Sequence, residues 1–289
     1  MAYATANDGA NLYYKDWGKG RPVVLMHGWP LTGDTFDRLG IELAKNGYRA
    51  IIPDRRGFGR SDKTWEGNDY DTYADDVAAI LKHAGITEKV GLVGFSMGGG
   101  EVARFQTRFP GRTEAAVLIS SVVPHVAKSD ENPNGVPAET LEEITNALKA
   151  DHQGFFPGFF EEFFGVDENA DAVSDGVQHD AFQQTMQASI HNILASADAW
   201  ANTNFLPDLE NFTDSTLVIH GTKDKTVPID ATARVVADKL PSAKLIEYEG
   251  SPHAVFATDQ DRLIDDVKSF LDNSFGERSA IPLQTAENV

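Results

Sequence analysis

The chain of 289 residues contains no cysteine, which excludes disulfide bonds, thiolate nucleophiles and metal sites with cysteine ligands. Basic residues are also scarce: 25 Lys and Arg stand against 44 Asp and Glu, and the formal net charge is −19. Because such a surface repels phosphate backbones, we expect no nucleic-acid partner. No apolar run approaches the roughly 20 residues that cross a bilayer, and segment 1–8 lacks the basic start and apolar core of a secretory signal. These absences predict a cytoplasmic protein with no membrane partner.

Motifs for metals and nucleotides are lacking as well. No two histidines stand four residues apart with a glutamate beside them, so neither a metal site nor a cofactor is expected. The glycines of segment 54–61 only loosely resemble a phosphate-binding loop, because the Lys-Ser ending is missing and the spacing does not fit a dinucleotide fingerprint. This arginine-rich segment is therefore interpreted as a buried-charge brace.

Apolar segments and helical patterns alternate along most of the chain, and 41% of the residues are hydrophobic, enough for a large core. The alternation predicts an α/β fold, with a mostly parallel eight-stranded sheet and helices on both faces. Segments 3–6 and 12–17 are expected to form an antiparallel hairpin at its start. The remaining predicted strands are 22–26, 48–52, 90–95, 115–120, 216–220 and 244–248.

The alternation stops between residues 124 and 204, which predicts a helical cap inserted into one core domain made of 1–123 and 205–275. Two helices, 138–150 and 181–197, are expected in the cap. Six phenylalanines between 155 and 164 either line an apolar substrate pocket or attach the cap to the core. The last residues, 276–289, show no periodicity and are predicted to be a flexible tail.

The most informative motif is Gly94-Phe95-Ser96-Met97-Gly98, which stands between a predicted strand and a predicted helix. This is the pattern of a nucleophile elbow, a sharp turn that exposes a serine hydroxyl at the edge of a sheet. The amide of Met97 would lie at the helix N-terminus, where it can stabilise a developing oxyanion. Ser96 is therefore the candidate nucleophile.

A serine nucleophile needs a base and an acid, which follow it along the chain in this architecture. His253, in a loop directly after the last predicted strand, is the candidate base. Asp224 is the first carboxylate after strand 216–220 and is the candidate acid, whereas Asp230 is better explained as a charge at a helix N-terminus. His220, which ends that same strand, is interpreted as a structural residue.

The second oxyanion donor is expected in the loop after the first parallel strand, His27-Gly28-Trp29-Pro30. Backbone beside Gly28 is free to turn the Trp29 amide into the site. His27 is interpreted as a residue that braces this loop. The Trp29 indole offers a large apolar face that can wall an acyl pocket.

With these residues the chain resembles the α/β-hydrolases, and more narrowly the cofactor-free haloperoxidase/arylesterase family, also called non-haem chloroperoxidases or perhydrolases. The resemblance runs from about Gly9 to Leu271. It implies a triad of Ser96, Asp224 and His253, an oxyanion hole of the Trp29 and Met97 amides, and an acyl pocket touching Trp29, Met97 and Val227. The resemblance rests on segments 27–30, 54–61, 94–104, 218–221 with Asp224, 227–228 and 252–253.

The resemblance implies a serine hydrolase that acts on small carboxylic esters through an acyl-enzyme. Members use hydrogen peroxide with a carboxylic acid to form peracids, which oxidise halide without haem or metal, and Pro30 matches members that favour this perhydrolysis. Ala254 departs from the glycine that many members carry after the histidine. Lactamase, C–C hydrolase and hydroxynitrile lyase reactions remain alternatives, as does a non-catalytic ligand receptor. The sequence leaves a homo-oligomer open.

Overall fold

One twisted sheet organises the computed structural model, which describes residues 2–213 and 215–276. Its eight strands in these residues follow the order β1-β2-β4-β3-β5-β6-β7-β8, and pairing is antiparallel at β1–β2 and β2–β4 and parallel elsewhere. The predicted mostly parallel sheet is confirmed. The strands are β1 (Ala2–Thr5), β2 (Asn11–Gly18), β3 (Arg21–Met26), β4 (Tyr48–Pro53), β5 (Val90–Phe95), β6 (Thr113–Ile119), β7 (Thr216–Gly221) and β8 (Lys244–Tyr248).

Helices pack on both faces of the sheet, and the two glycines of β5 show which helix covers each face. Successive side chains of a strand point to opposite faces, so Gly91 and Gly94 face opposite ways. A Cβ at Gly91 would touch Leu271 of the last helix, whereas one at Gly94 would touch Gly98 of the elbow helix. The helices are α1 (Asp37–Lys45), α2 (Tyr70–His83), α3 (Met97–Arg108), α4 (Ala138–Phe164), α5 (Asp175–Thr185), α6 (Ile190–Asn202), α7 (Ala233–Lys239), α8 (Val255–Thr258) and α9 (Gln260–Ser274).

Short 3₁₀ turns link several of these elements. They are Gly33–Phe36, Pro207–Asn211 and Ile229–Ala231. Among the described residues, no helix combines the length and apolar character needed to cross a membrane. The predicted tail, 276–289, lies outside the described residues except for Gly276.

Helices α4, α5 and α6 fill the stretch between β6 and β7. The phenylalanine-rich segment, for which no helix was predicted, is the second half of α4, which bends at Asp151 and continues through Pro157. The prediction of one helix over 181–197 is wrong. The chain turns between α5 and α6, where the Ser189 hydroxyl accepts a hydrogen bond from the Asn192 amide and caps α6.

Candidate active site

Ser96 lies in a strained turn at the end of β5. Its φ of 53° and ψ of −118° fall in a region that non-glycine residues rarely adopt. Two glycines make the turn possible: a Cβ on Gly94 would lie 2.3 Å from the Gly98 carbonyl oxygen, and one on Gly98 would lie 2.1 Å from the Met26 carbonyl oxygen. The helix α3 begins at Met97, directly after the serine. The strand, turn and helix predicted for the elbow are all present.

His253 lies in the loop between β8 and α8, within hydrogen-bond reach of Ser96. Its Nε2 atom is 2.9 Å from the Ser96 Oγ, and its Nδ1 is 2.6 Å from Oδ2 of Asp224. The Ser120 hydroxyl donates to the His253 carbonyl oxygen at 2.9 Å and fixes the backbone there. The imidazole packs against the rings of Phe95 and Phe163, whose centroids are 5.0 and 4.9 Å away. These contacts hold the ring in one orientation.

Asp224 is buried in the turn after β7, where it accepts two hydrogen bonds and lies close to a third ring nitrogen. Its Oδ1 accepts from the Val227 amide at 2.7 Å, and its Oδ2 lies 2.6 Å from His253 Nδ1 and 3.0 Å from His220 Nε2. Burial by itself would raise the pKa of Asp224, but the neighbouring His253 and then His220 lower it to about 2, below the ordinary 3.8. The group is therefore a carboxylate at neutral pH.

The alternative acid, Asp230, lies elsewhere. Its Oδ1 is 2.8 Å from Nη1 of Arg234, and both side chains are exposed. It belongs to the short 3₁₀ turn before α7. Asp224 is thus the carboxylate that meets His253, and Asp230 forms a surface ion pair.

The two predicted oxyanion donors lie on either side of the elbow. Met97 is the first residue of α3, and Trp29 directly follows Gly28. A Cβ added to Gly28 would lie 3.0 Å from the Cβ of Ser96, so the two segments meet at the serine. Within the described residues, neither the Trp29 amide nor the Met97 amide donates to a protein acceptor. Both N–H groups therefore have no protein partner among these residues.

His27 braces the loop before Trp29. Its Nε2 lies 2.9 Å from the Arg55 amide nitrogen, and its Nδ1 lies 2.9 Å from the Gly28 carbonyl oxygen. Burial lowers the pKa of His27 well below its usual value, and the positive charge of Arg55 lowers it further. The residue is a neutral brace, as the sequence indicated, and not a base.

Aromatic side chains of α4 and α6 pack against Trp29 near the site. The Trp29 indole contacts the rings of Phe156, Phe159 and Trp200, with centroids 5.6, 5.6 and 5.9 Å away. Ser96 is only 6% exposed and His253 only 1%. Val227 is also buried, and its backbone holds the acid loop through contacts with Asp224 and His220.

The loop between α4 and α5 is joined to the loop after β7 by ion pairs. Lys223 lies 2.7 Å from Glu168, and Lys225 lies 2.8 Å from both Asp167 and Glu168. A cleft of about 370 Å³ runs beside these pairs, but Ser96, Asp224 and His253 do not line it. The charged cleft and the buried site are therefore separate features.

Sequence reasoning missed the contact between His220 and Asp224. The signal was present, because His220 ends a strand and stands four residues before the acid. It also missed Phe163 and Trp200 as individual neighbours of the site, since the cap helices were located only roughly. In the part of the chain that the structure describes, no cluster of three or more carboxylate or imidazole groups is arranged to hold a metal ion.

Comparison with known proteins adds to this geometry. The alpha/beta hydrolase fold family matches residues 21–260. The chain is 40% identical to a non-heme chloroperoxidase of Kitasatospora aureofaciens over 94% of its length and 99% of that protein. It is 36% identical to a bifunctional esterase/perhydrolase of Acinetobacter calcoaceticus, with the same shares covered. The crystal structure of a bromoperoxidase from Bacillus anthracis superposes with a TM-score of 0.89 at 37% identity, covering 93% of this chain and 99% of that one.

Proposed function

The chain belongs to the α/β-hydrolase fold family, and we propose that it is a serine esterase that forms an acyl-enzyme and can pass the acyl group to hydrogen peroxide as well as to water. The observation that carries this proposal is the continuous hydrogen-bonded series from Ser96 through His253 to Asp224, at 2.9 and 2.6 Å. Relatives named chloroperoxidase and esterase/perhydrolase support both halves of it.

Acylation begins at the serine. His253 Nε2 takes the proton of the Ser96 hydroxyl while Oγ attacks the ester carbonyl carbon. The carbonyl oxygen becomes an oxyanion, which we assign to the amides of Trp29 and Met97. The protonated His253, stabilised by the carboxylate of Asp224, then gives its proton to the departing alcohol. The product is an ester between Ser96 and the acyl group.

Deacylation repeats these steps with a second nucleophile. His253 deprotonates water, or hydrogen peroxide, and the resulting oxygen nucleophile attacks the acyl carbon. Collapse of the intermediate returns the proton to Ser96 and releases a carboxylic acid from water or a peracid from peroxide. A released peracid transfers one oxygen atom to a halide ion and becomes the carboxylic acid. The protein itself needs only acyl-transfer chemistry for either outcome.

The surroundings of the site favour small, apolar substrates. Ser96 is almost fully buried, and the His253 ring bonded to it packs against Phe163 of α4. The Trp29 indole packs against Phe159 of the same helix. Apolar pockets bind acyl and aryl groups by removing their surface from water. We therefore propose acetyl and other short-chain esters of phenols and alcohols as the substrate class.

A serine substitution tests the proposal. Ser96→Ala should abolish p-nitrophenyl acetate hydrolysis, labelling by a fluorophosphonate probe and peroxide-dependent bromination of a dye together, because all three need the same Oγ nucleophile. Ser242→Ala, at an exposed position far along the chain, is the matched control and should keep all three activities. Unchanged hydrolysis by a folded Ser96→Ala protein would rule out the acyl-enzyme. Hydrolysis lost with bromination retained would show that the halide chemistry arises elsewhere.

A further inference from the structure

The peptide group between Gly28 and Trp29 has a fixed orientation. The Gly28 carbonyl oxygen accepts two hydrogen bonds, from Nδ1 of His27 at 2.9 Å and from the Leu31 amide at 3.1 Å. This carbonyl and the Trp29 N–H belong to one planar trans peptide, so the two point in opposite directions. Whatever holds the Gly28 oxygen therefore also aims the Trp29 N–H.

The hydrogen on the His27 ring can be assigned from its two partners. The Arg55 amide can only donate, so Nε2 of His27 accepts. In the neutral ring the hydrogen is then on Nδ1, where the Gly28 carbonyl oxygen can only accept it. His27 consequently transmits the position of the Arg55 backbone to the Gly28–Trp29 peptide.

Arg55 is in turn fixed by an acidic residue of the elbow helix. Its guanidinium bonds the carboxylate of Glu101 through Nε and Nη2, and the same Nη2 donates to the carbonyl oxygen of His27. Arg55 is 5% exposed and Glu101 is 3% exposed, so water does not screen the pair. Glu101 lies on α3, about one turn after Met97.

We propose that the Arg55–Glu101 pair is a positioning device for the oxyanion hole, which sets the Trp29 amide of one loop at the correct distance from the Met97 amide of α3. The proposal rests on the proposed function, because the two amides matter only if an oxyanion forms between them. Neither residue touches the substrate. Each acts through His27 and the backbone, and both are positioning residues rather than catalytic ones.

The neighbouring Arg56 supplies a matched control. It pairs with Asp76 of α2, both residues are buried, and the Nε–Oδ2 and Nη2–Oδ1 distances are 2.6 Å. Glu101→Gln and Asp76→Asn each remove the negative charge that faces a buried arginine, and the two arginines are neighbours in the chain. Only the first variant disturbs a residue bonded to His27. Steady-state hydrolysis of p-nitrophenyl acetate and of its thionoester analogue is measured for both variants and for the wild-type protein.

The thionoester separates an oxyanion effect from general damage. Sulfur is larger than oxygen and accepts hydrogen bonds weakly, so a precise pair of donors favours the oxygen ester. Because loss of a whole donor lowers kcat by about 10²–10³, misalignment of one donor in Glu101→Gln should lower kcat for the oxygen ester by about 10- to 100-fold. KM should stay within about twofold, and the preference for the oxygen ester over the thionoester should shrink by a similar factor. Asp76→Asn should keep the wild-type kcat and preference.

Two results would overturn the proposal: a folded Glu101→Gln protein with the wild-type kcat and ester preference, or equal losses in Glu101→Gln and Asp76→Asn. If circular dichroism shows that Glu101→Gln does not fold, Arg55→Lys takes its place under the same criteria, since lysine cannot bond Glu101 and His27 with a planar fork. A wild-type protein without esterase activity would instead refute the proposed function itself. The two failures are thus distinguishable.

Discussion

Replacing Asp224 by asparagine is the most direct test of the acid in this site. The carboxylate accepts hydrogen bonds from the Val227 amide and from Nδ1 of His253, and Nε2 of His220 lies 3.0 Å away. An asparagine amide has the same shape but only one acceptor oxygen. If that oxygen faces His253, the amide NH₂ faces the buried N–H of Val227, and leaving this donor unpaired costs about 1–3 kcal/mol.

The opposite orientation is therefore preferred. The amide oxygen then keeps the Val227 N–H, and His220 keeps its 2.8 Å bond to the Val227 carbonyl oxygen. The amide NH₂ now donates to Nδ1 of His253, which moves the ring hydrogen to Nε2, opposite Ser96. In that tautomer His253 cannot take the serine proton. The protein also loses the negative charge that stabilises the imidazolium formed during the reaction.

Together these effects should lower kcat by about 10³–10⁴, as an equivalent substitution does in a serine protease. That fall corresponds to about 4–5 kcal/mol of lost transition-state stabilisation. The assay is steady-state hydrolysis of p-nitrophenyl acetate, with thermal unfolding to show that the variant folds. Asp230→Asn, which removes an exposed carboxylate of the next turn, should keep the wild-type kcat. A folded Asp224→Asn protein with more than about a tenth of wild-type kcat would refute the assignment, because a misplaced tautomer cannot support that rate.

Three further outcomes are expected. His220→Phe removes the ring nitrogen that bonds the Val227 carbonyl oxygen and lies 3.0 Å from Asp224, and it should lower kcat about tenfold. His220→Gln, which keeps an N–H donor, should retain more activity; equal losses would contradict a hydrogen-bonding role. Gly98→Ala should lower the free energy of unfolding by about 1–3 kcal/mol or more because its Cβ meets the Met26 carbonyl oxygen at 2.1 Å, while Gly158→Ala, with open space at its Cβ, should not destabilise α4 in urea unfolding. Because the folded-state pKa of Asp224 is depressed to about 2, its stabilisation of about 2 kcal/mol is complete above about pH 5 and is lost as pH falls toward 2. Unfolding of wild-type and Asp224→Asn proteins compared from pH 5 to 3 should show that only the wild type loses this contribution; parallel pH dependence would count against it.

The order of elements could be read from the sequence because local patterns specified it. The continuous apolar run of β5 and the elbow glycines locate Ser96 at a strand end, whatever the rest of the chain does. Since the carboxyl ends of parallel strands lie at one edge of a sheet, residues that follow β7 and β8 were expected near Ser96. Asp224 and His253 do lie there, at hydrogen-bond distances. Their catalytic roles stay predictions until the substitutions are made.

The cap was harder to predict. The turn between α5 and α6 carries no glycine or proline, and only the capping Ser189 marks it. The phenylalanines of α4 recur every four residues, which is helical spacing, but Pro157 argues against a helix although the chain continues through it. Packing against Trp29 and His253 decides which of these rings cover the site.

The sequence by itself determined the strands, their order along the chain and the three polar side chains expected at the edge of the sheet, because short-range periodicity and turn chemistry encode those features. Only the tertiary structure decided the partners that hold the site in place. The contact of Glu101 with Arg55 joins residues 46 positions apart, and the contact of His220 with Asp224 depends on the direction of two side chains in a tight turn. Such contacts are set by how side chains and packed elements meet in three dimensions, which the pattern of residue types along the chain does not specify.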